Sequence, residues 1–148
     1  DDRRQRQMCI RDRSVAIANK CQDQVINDTL NLSIMAEELG YSRFWISEHH
    51  NHPTIIGTAP EVLMAAIAAK TKKIRIGSAG IMLPHYSSFK VAEQFRVLNS
   101  LAPNRIDLGL GRAPGSDGRT ALALNSNNRE FSENFPSHVR DLIAWGNK

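Results

Sequence analysis

Apolar positions along this chain switch repeatedly between helical and strand-like spacing. From Gln22 to Leu39, residues Val25, Ile26, Leu30, Leu32, Met35, Ala36 and Leu39 recur at the three-to-four spacing of one helix stripe, and Gly40 follows as a stop. Arg43-Phe44-Trp45-Ile46-Ser47 is a short aromatic and β-branched run that predicts a strand, and Glu48 to Pro53 reads as a polar loop. Pro60 opens a second helix that carries Val62, Leu63, Ala66, Ile67 and Ala69 and ends near Lys70. Ile74 to Gly80 predicts a strand ending in glycine. A loop through Pro84, His85 and Tyr86 then leads to a helix from about Phe89 to Leu101, which Pro103 and Asn104 break. Ile106 to Arg112 is the next strand, followed by a polar, glycine-rich stretch and weaker helical patterning out to Trp145.

Strands alternating with helices predict an α/β fold with a parallel sheet and crossover helices. The strands recur roughly every thirty residues without an internal repeat. An open doubly wound sheet and a closed barrel both satisfy this pattern.

Composition narrows the class. The chain has 148 residues, 41% apolar and 23% charged, the profile of a soluble globular domain. No apolar run approaches the ~20 residues of a membrane span, and the opening residues carry no secretory apolar region. Cys9 and Cys21 have neither metal spacing nor a disulfide framework, which suits a reducing, cytoplasmic compartment. The formal charge of +4 invites a nucleic-acid reading. Five arginines and three aspartates, however, lie in residues 1–13, so the remainder carries only +2. The expectation is a protein that binds neither nucleic acid nor membrane.

The run Arg3-Arg4-Gln5-Arg6-Gln7-Met8-Cys9-Ile10-Arg11-Asp12-Arg13 shows no helix or strand period. Its back-translation resembles a transposase-type sequencing adapter. Residues 1–13 are therefore expected to be a non-native leader and an unpacked tail, and residues 14–148 a partial barrel domain. Reading the source locus upstream of Ser14 checks this, and finding the same codons there would reject it.

In parallel α/β folds, chemistry gathers at the carboxyl ends of strands. Three successive strands here end in Glu48-His49-His50, in Ser78-Ala79-Gly80, and in Gly109-Leu110-Gly111-Arg112. Taken singly, each has an ordinary explanation as a loop, a turn or a surface ion pair. Together on one face they suit a planar, phosphorylated cofactor. Glycine admits close approach of a ring, arginine grips phosphate, and histidine moves protons near neutral pH. A metal site from His49, His50 and His52 is disfavoured, because neighbouring residues on a strand point oppositely and no Asp or Cys completes a ligand set. Gly109-Leu110-Gly111 lacks the third glycine and opening helix of a dinucleotide fingerprint.

Ala36-Glu37-Glu38-Leu39-Gly40-Tyr41-Ser42-Arg43-Phe44-Trp45-Ile46-Ser47-Glu48-His49-His50-Asn51 resembles the first helix and second strand of bacterial luciferase-like, flavin-dependent monooxygenases. Ile74 to Pro84 is similar to their third strand and loop. Val91 to Phe95, with Asn104 to Gly115, is similar to the next helix and fourth strand. The wording is closest to the single-chain, non-luminescent branch. The resemblance implies a partial (β/α)₈ TIM-type barrel covering about strands two to four, with strand one cut off and strands five to eight absent. It implies reduced FMN as cofactor, O₂ as co-substrate, a small organic substrate, a flavin reductase as supplier of reduced FMN, and a homodimeric parent. His49 matches the family's active-site histidine, with Glu48 and His50 as its catalytic neighbours. Ala79 and Gly80 match a pair joined by a cis peptide under the flavin ring. Ser78 and Gly109 fall in the same cofactor-binding segments, and Arg112 matches a phosphate contact. Two alternatives remain: a deazaflavin (F420)-dependent hydride-transfer enzyme on the same barrel, and a non-catalytic flavin-binding relative.

Overall fold

The computed structural model describes residues 8–16 and 20–146. Strand β1 (Cys9–Asp12) leads to helix α1 (Gln22–Glu38), β2 (Arg43–Ile46), α2 (Pro60–Lys70), β3 (Arg75–Ser78) and β4 (Ile81–Met82). A 3₁₀ turn (Leu83–His85) precedes α3 (Ser88–Leu101), β5 (Ile106–Asp107), β6 (Leu110–Gly111), α4 (Gly118–Leu124), α5 (Asn128–Glu133) and α6 (Phe135–Gly146). Four strands pair in parallel in the order β1-β2-β3-β5, and β4 pairs in parallel with β6. The third and fourth strands read from sequence are thus each broken in two.

Burial alternates along the strands as the side-chain period requires. Phe44, Ile46 and Ile76 face the helices, where they pack with Met64, Ile67 and Leu98 in one core cluster. Each such side chain contributes about 1.5–3 kcal/mol on burial. The opposite face, which would line a barrel interior, is polar. There the Asp107 carboxylate accepts from Arg75 Nε at 3.0 Å, Arg43 Nε at 3.2 Å and Trp45 Nε1 at 3.1 Å. Arg43 and Arg75 begin their strands side by side, so this network sits at the amino end of the sheet, where barrels keep stabilising contacts.

Two expectations are corrected. Residues 9–12 are not an unpacked tail: Cys9–Asp12 pairs in register with Arg43–Ile46, in the place of the first strand that was expected to be cut off. A parallel ladder is made by backbone groups, so it accepts a run without an obvious period. Asp12 is then fixed by the Thr29 hydroxyl, which donates to its carboxylate at 2.7 Å. Residues 1–7 lie outside the described residues, and the origin of the segment's codons remains a proposal for the locus to decide. The second correction concerns α1, whose buried face is Val25, Thr29, Ser33 and Ala36. Met35 and Leu39 are 53% and 64% exposed. Small polar residues belong on this face because Thr29 reaches Asp12 and Ser14 there, and the Ser33 hydroxyl donates to the Leu30 carbonyl.

Glu37 ties α1 to the turn before β3. Its carboxylate accepts from the backbone N–H groups of Lys72, Lys73 and Ile74 at 2.6–3.0 Å. Burial pushes the pKa of this group up, but the three N–H donors outweigh it and hold the pKa below its ordinary value. A carboxyl lowered in the folded state stabilises above its unfolded pKa and loses that contribution as pH falls through the folded value. Glu37→Gln in the full-length protein is expected to cost about 1–3 kcal/mol at pH 7 and much less near pH 3. Denaturant midpoints at the two pH values measure this, and an equal cost at both would discount the charge.

Candidate active site at the carboxyl ends of the strands

Glu48 follows β2 directly and is 0% exposed, although its neighbours read as a polar loop. One carboxyl oxygen, Oε2, accepts from the Met82 backbone N–H at 2.7 Å. The other, Oε1, meets His50 Nε2 at 2.6 Å and accepts from the Tyr86 hydroxyl. Burial and the Glu48 charge push the Tyr86 phenol up, so it stays protonated and donates. Glu61, near the start of α2, is also raised, by burial first and the Glu48 charge second. Glu48 thus gathers β2, β4 and the turn after β4 around one buried group.

His49 points elsewhere, as alternation along an extended backbone requires. Its N–H donates to the Gly57 carbonyl at 3.2 Å, but its Nδ1 is buried and has no hydrogen-bond partner among the described residues. Buried polar atoms in native proteins are nearly always paired, so this nitrogen is set for a partner that the described residues do not supply. Burial, reinforced by Arg13 and Arg11, holds its pKa below the ordinary histidine value. The ring is neutral at pH 7.

Between β3 and β4 the Ala79–Gly80 peptide is cis, as the resemblance implied. Ala79 N–H donates to the Ile46 carbonyl at 2.7 Å, which joins the break to the end of β2. The Ser78 hydroxyl donates to the Gly109 carbonyl at 2.8 Å and accepts from the Gly109 N–H at 3.1 Å, bridging the interrupted ladder. The glycines here also meet a demand from the protein itself. A Cβ on Gly109 would fall 2.2 Å from the Ser78 carbonyl oxygen, so the close neighbour is protein backbone. Ser78 and Gly109 are thus engaged with each other, and both also line the adjoining cavity. Beside them on the interior face lies a cavity of about 600 Å³, lined by Trp45, Ala79, Gly80, Asp107 and Leu110 among others.

The loop after β6 closes over Glu48. His50 N–H donates to the Gly115 carbonyl at 3.0 Å. Gly115 has φ +61, and a Cβ there would sit 3.1 Å from the Glu48 carbonyl oxygen, so both conformation and space demand glycine. Asp117 caps α4 through the Thr120 N–H, which with the Thr120 hydroxyl lowers its carboxyl to about 2. Asn51 donates to Asp117 and to Thr120, fastening the loop after β2 to α4. Arg112 is exposed, and its Nε donates to the Ser132 carbonyl at 2.9 Å.

The structure thus brings Glu48 and His50 together, leaves His49 with a buried nitrogen that has no partner among the described residues, and sets Arg112 outward on the adjoining loop. Sequence reading gave no role to His85, Tyr86, Asn125 or Asn128. Their one signal was the placement of Pro84-His85-Tyr86 straight after a strand that ends at the mouth. Among the described residues no group of three His, Cys, Asp or Glu side chains is placed to hold a metal, and no helix is long and apolar enough to cross a membrane.

The family model for luciferase-like monooxygenases matches residues 8–133, and the chain belongs to that family. It is 46% identical over 138 residues to N-acetyl-S-alkylcysteine monooxygenase of Bacillus subtilis, covering 93% of this chain and 41% of that protein. Among solved structures, apo-MsnO8 superposes with a TM-score of 0.90 at 36% identity, covering 95% of this chain and 42% of that one. The oxygenating constituent of 3,6-diketocamphane monooxygenase from Pseudomonas putida, solved with FMN, superposes with a TM-score of 0.76 at 22% identity over 93% of this chain and 37% of its own. That likeness shows the fold. The chain spans about two fifths of the length of the proteins it matches, and what it holds is part of a luciferase-like barrel.

Proposed function

We propose that the whole protein is a monooxygenase that uses reduced FMN and O₂ on a small organic substrate. The observation that carries the reading is the buried, unpartnered Nδ1 of His49 at the carboxyl end of β2. The residues present fit a flavin: a polar atom unpartnered among the described residues, a cavity lined by Ala79 and Gly80, and an outward arginine on the adjoining loop. Reduced FMN, when bound, supplies two electrons, so that one oxygen atom of O₂ enters the substrate and the other leaves as water. His49, neutral at pH 7, holds or passes a proton at Nδ1 during that step. Glu48 and His50 brace the segment that carries His49. Arg112 binds the phosphate, a charge-assisted contact open to the nitrogens beyond Nε. The monooxygenase relative supports oxygen chemistry, and the FMN-bound neighbour supports the cofactor. A flavin reductase would supply reduced FMN, and we place the protein in the cytoplasm.

Absorbance and fluorescence of the cofactor copurified with the full-length protein test this reading. An oxidised FMN spectrum supports it, and a deazaflavin spectrum would replace it with hydride transfer. Arg112→Ala is expected to weaken FMN binding about 10–100-fold, the equivalent of one lost charge-assisted contact, while product formed per flavin oxidised stays near wild type. Unchanged affinity in a flavin titration would remove Arg112 from the phosphate site.

A further inference from the structure

We propose that His85 is a positioning residue that locks the Arg112–Gly115 loop against the His49–His50 segment, so that cofactor binding and the oxygen-handling histidine share one rigid frame. This rests on the FMN reading given above. His85 is only 7% exposed, and both ring nitrogens are used. Its Nε2 lies 2.6 Å from the Pro114 carbonyl oxygen. A carbonyl can only accept, so Nε2 carries the hydrogen. Its Nδ1 is then the acceptor for the Asn128 side-chain amide at 2.9 Å. The ring is held in one orientation between two fixed partners.

The position of those partners gives the residue its consequence. Pro114 is two residues from Arg112, and its neighbour Gly115 accepts the His50 N–H at 3.0 Å. The loop is therefore sewn to the active-site segment at two successive residues, directly through His50 and indirectly through His85. The His85 ring also stands edge-on to the His50 ring, with centroids 5.5 Å apart at 90°. The turn bearing His85 is itself anchored from both sides. Met82, just before it, donates to Glu48 at 2.7 Å, and the Pro84 carbonyl accepts from the Asn125 amide at 2.8 Å. A side chain that served only packing would not need one nitrogen on the loop that holds the outward arginine and the other on α5.

Three variants of the full-length protein test the proposal. His85→Phe keeps the volume and removes both hydrogen bonds. His85→Gln restores an amide nitrogen near the Nε2 position. Asn128→Ala leaves the ring in place and frees Nδ1, which guards against a misfolded Phe variant. Hydrogen exchange without FMN is expected to show the His50 amide and the 112–117 backbone exchanging at least ~10-fold faster in His85→Phe, with α3 amides unchanged. FMN affinity is expected to fall about tenfold, and His85→Gln to recover most of both. Asn128→Ala should move both readouts in the same direction by less. Wild-type exchange in the loop of His85→Phe would overturn the proposal, as would failure of Gln to improve on Phe. If wild type binds no FMN, the cofactor reading falls, while the exchange arm still decides whether His85 positions the loop.

Discussion

His49→Ala in the full-length protein is expected to leave FMN binding nearly intact and to slow productive oxygenation by about 10²–10⁴-fold, the usual worth of one positioned proton-transfer group. Reduced flavin should then be reoxidised without product, its two electrons passing to O₂ to give hydrogen peroxide. The structure makes this a clean substitution. The His49 N–H bond to Gly57 is a backbone contact and survives, and Nδ1 has no hydrogen-bond partner among the described residues to lose. Thermal stability should therefore change far less than turnover. Because burial holds the His49 pKa below its ordinary value, the acid limb of the rate profile should lie below pH 6.5 and vanish in the variant. Product per flavin oxidised and peroxide yield are the deciding measurements. Normal coupling in His49→Ala would leave the residue a purely structural role.

The order of elements was legible because it depends on local spacing. Phe44 and Ile46 alternate with Arg43 and Trp45, and Pro60 opens α2 where its missing N–H costs nothing. The family resemblance lay in continuous motifs, and it identified the segments that meet at the mouth. What sequence could not give was the third dimension of single polar residues. Glu48 sits in a string of charged and amide residues, yet it is buried, because its partners Met82 and Tyr86 arrive from 34 and 38 residues away. The same applies to Thr29 and Ser33, which read as polar interruptions of a stripe and are the buried face of α1. The hydrogen-bond pairing of Ser78 with Gly109 was equally hidden, since a small residue that admits a ligand and one that admits a neighbouring strand look alike in one dimension. His85 needed Pro114 and Asn128, from two different later segments, before it meant anything.

Glu48 carries the second large expectation, on stability more than on chemistry. Glu48→Ala would remove the carboxylate that the Met82 N–H, the Tyr86 hydroxyl and His50 Nε2 all share and leave a void in its place. Each unpaired buried group costs about 1–3 kcal/mol, and removing one partner of a buried charged cluster costs about 3–5 kcal/mol in all. Glu48→Gln is a milder change, and the reason is specific to the partners. The Met82 N–H can only donate, so the Gln oxygen must turn to it, placing the amide NH₂ toward Tyr86 and His50. A tyrosine hydroxyl and a neutral imidazole can both accept, so the cluster can be rewired for about 1 kcal/mol. Denaturant unfolding of the full-length variants should therefore rank wild type, Gln and Ala in falling order, with the larger gap between Gln and Ala. His49-dependent coupling should follow the same order, because Glu48 and His50 brace the segment on which His49 sits. If Ala proved as stable as Gln, Glu48 would not be the buried keystone its three contacts describe. If stability fell but coupling held, the cluster would support the fold without positioning the histidine.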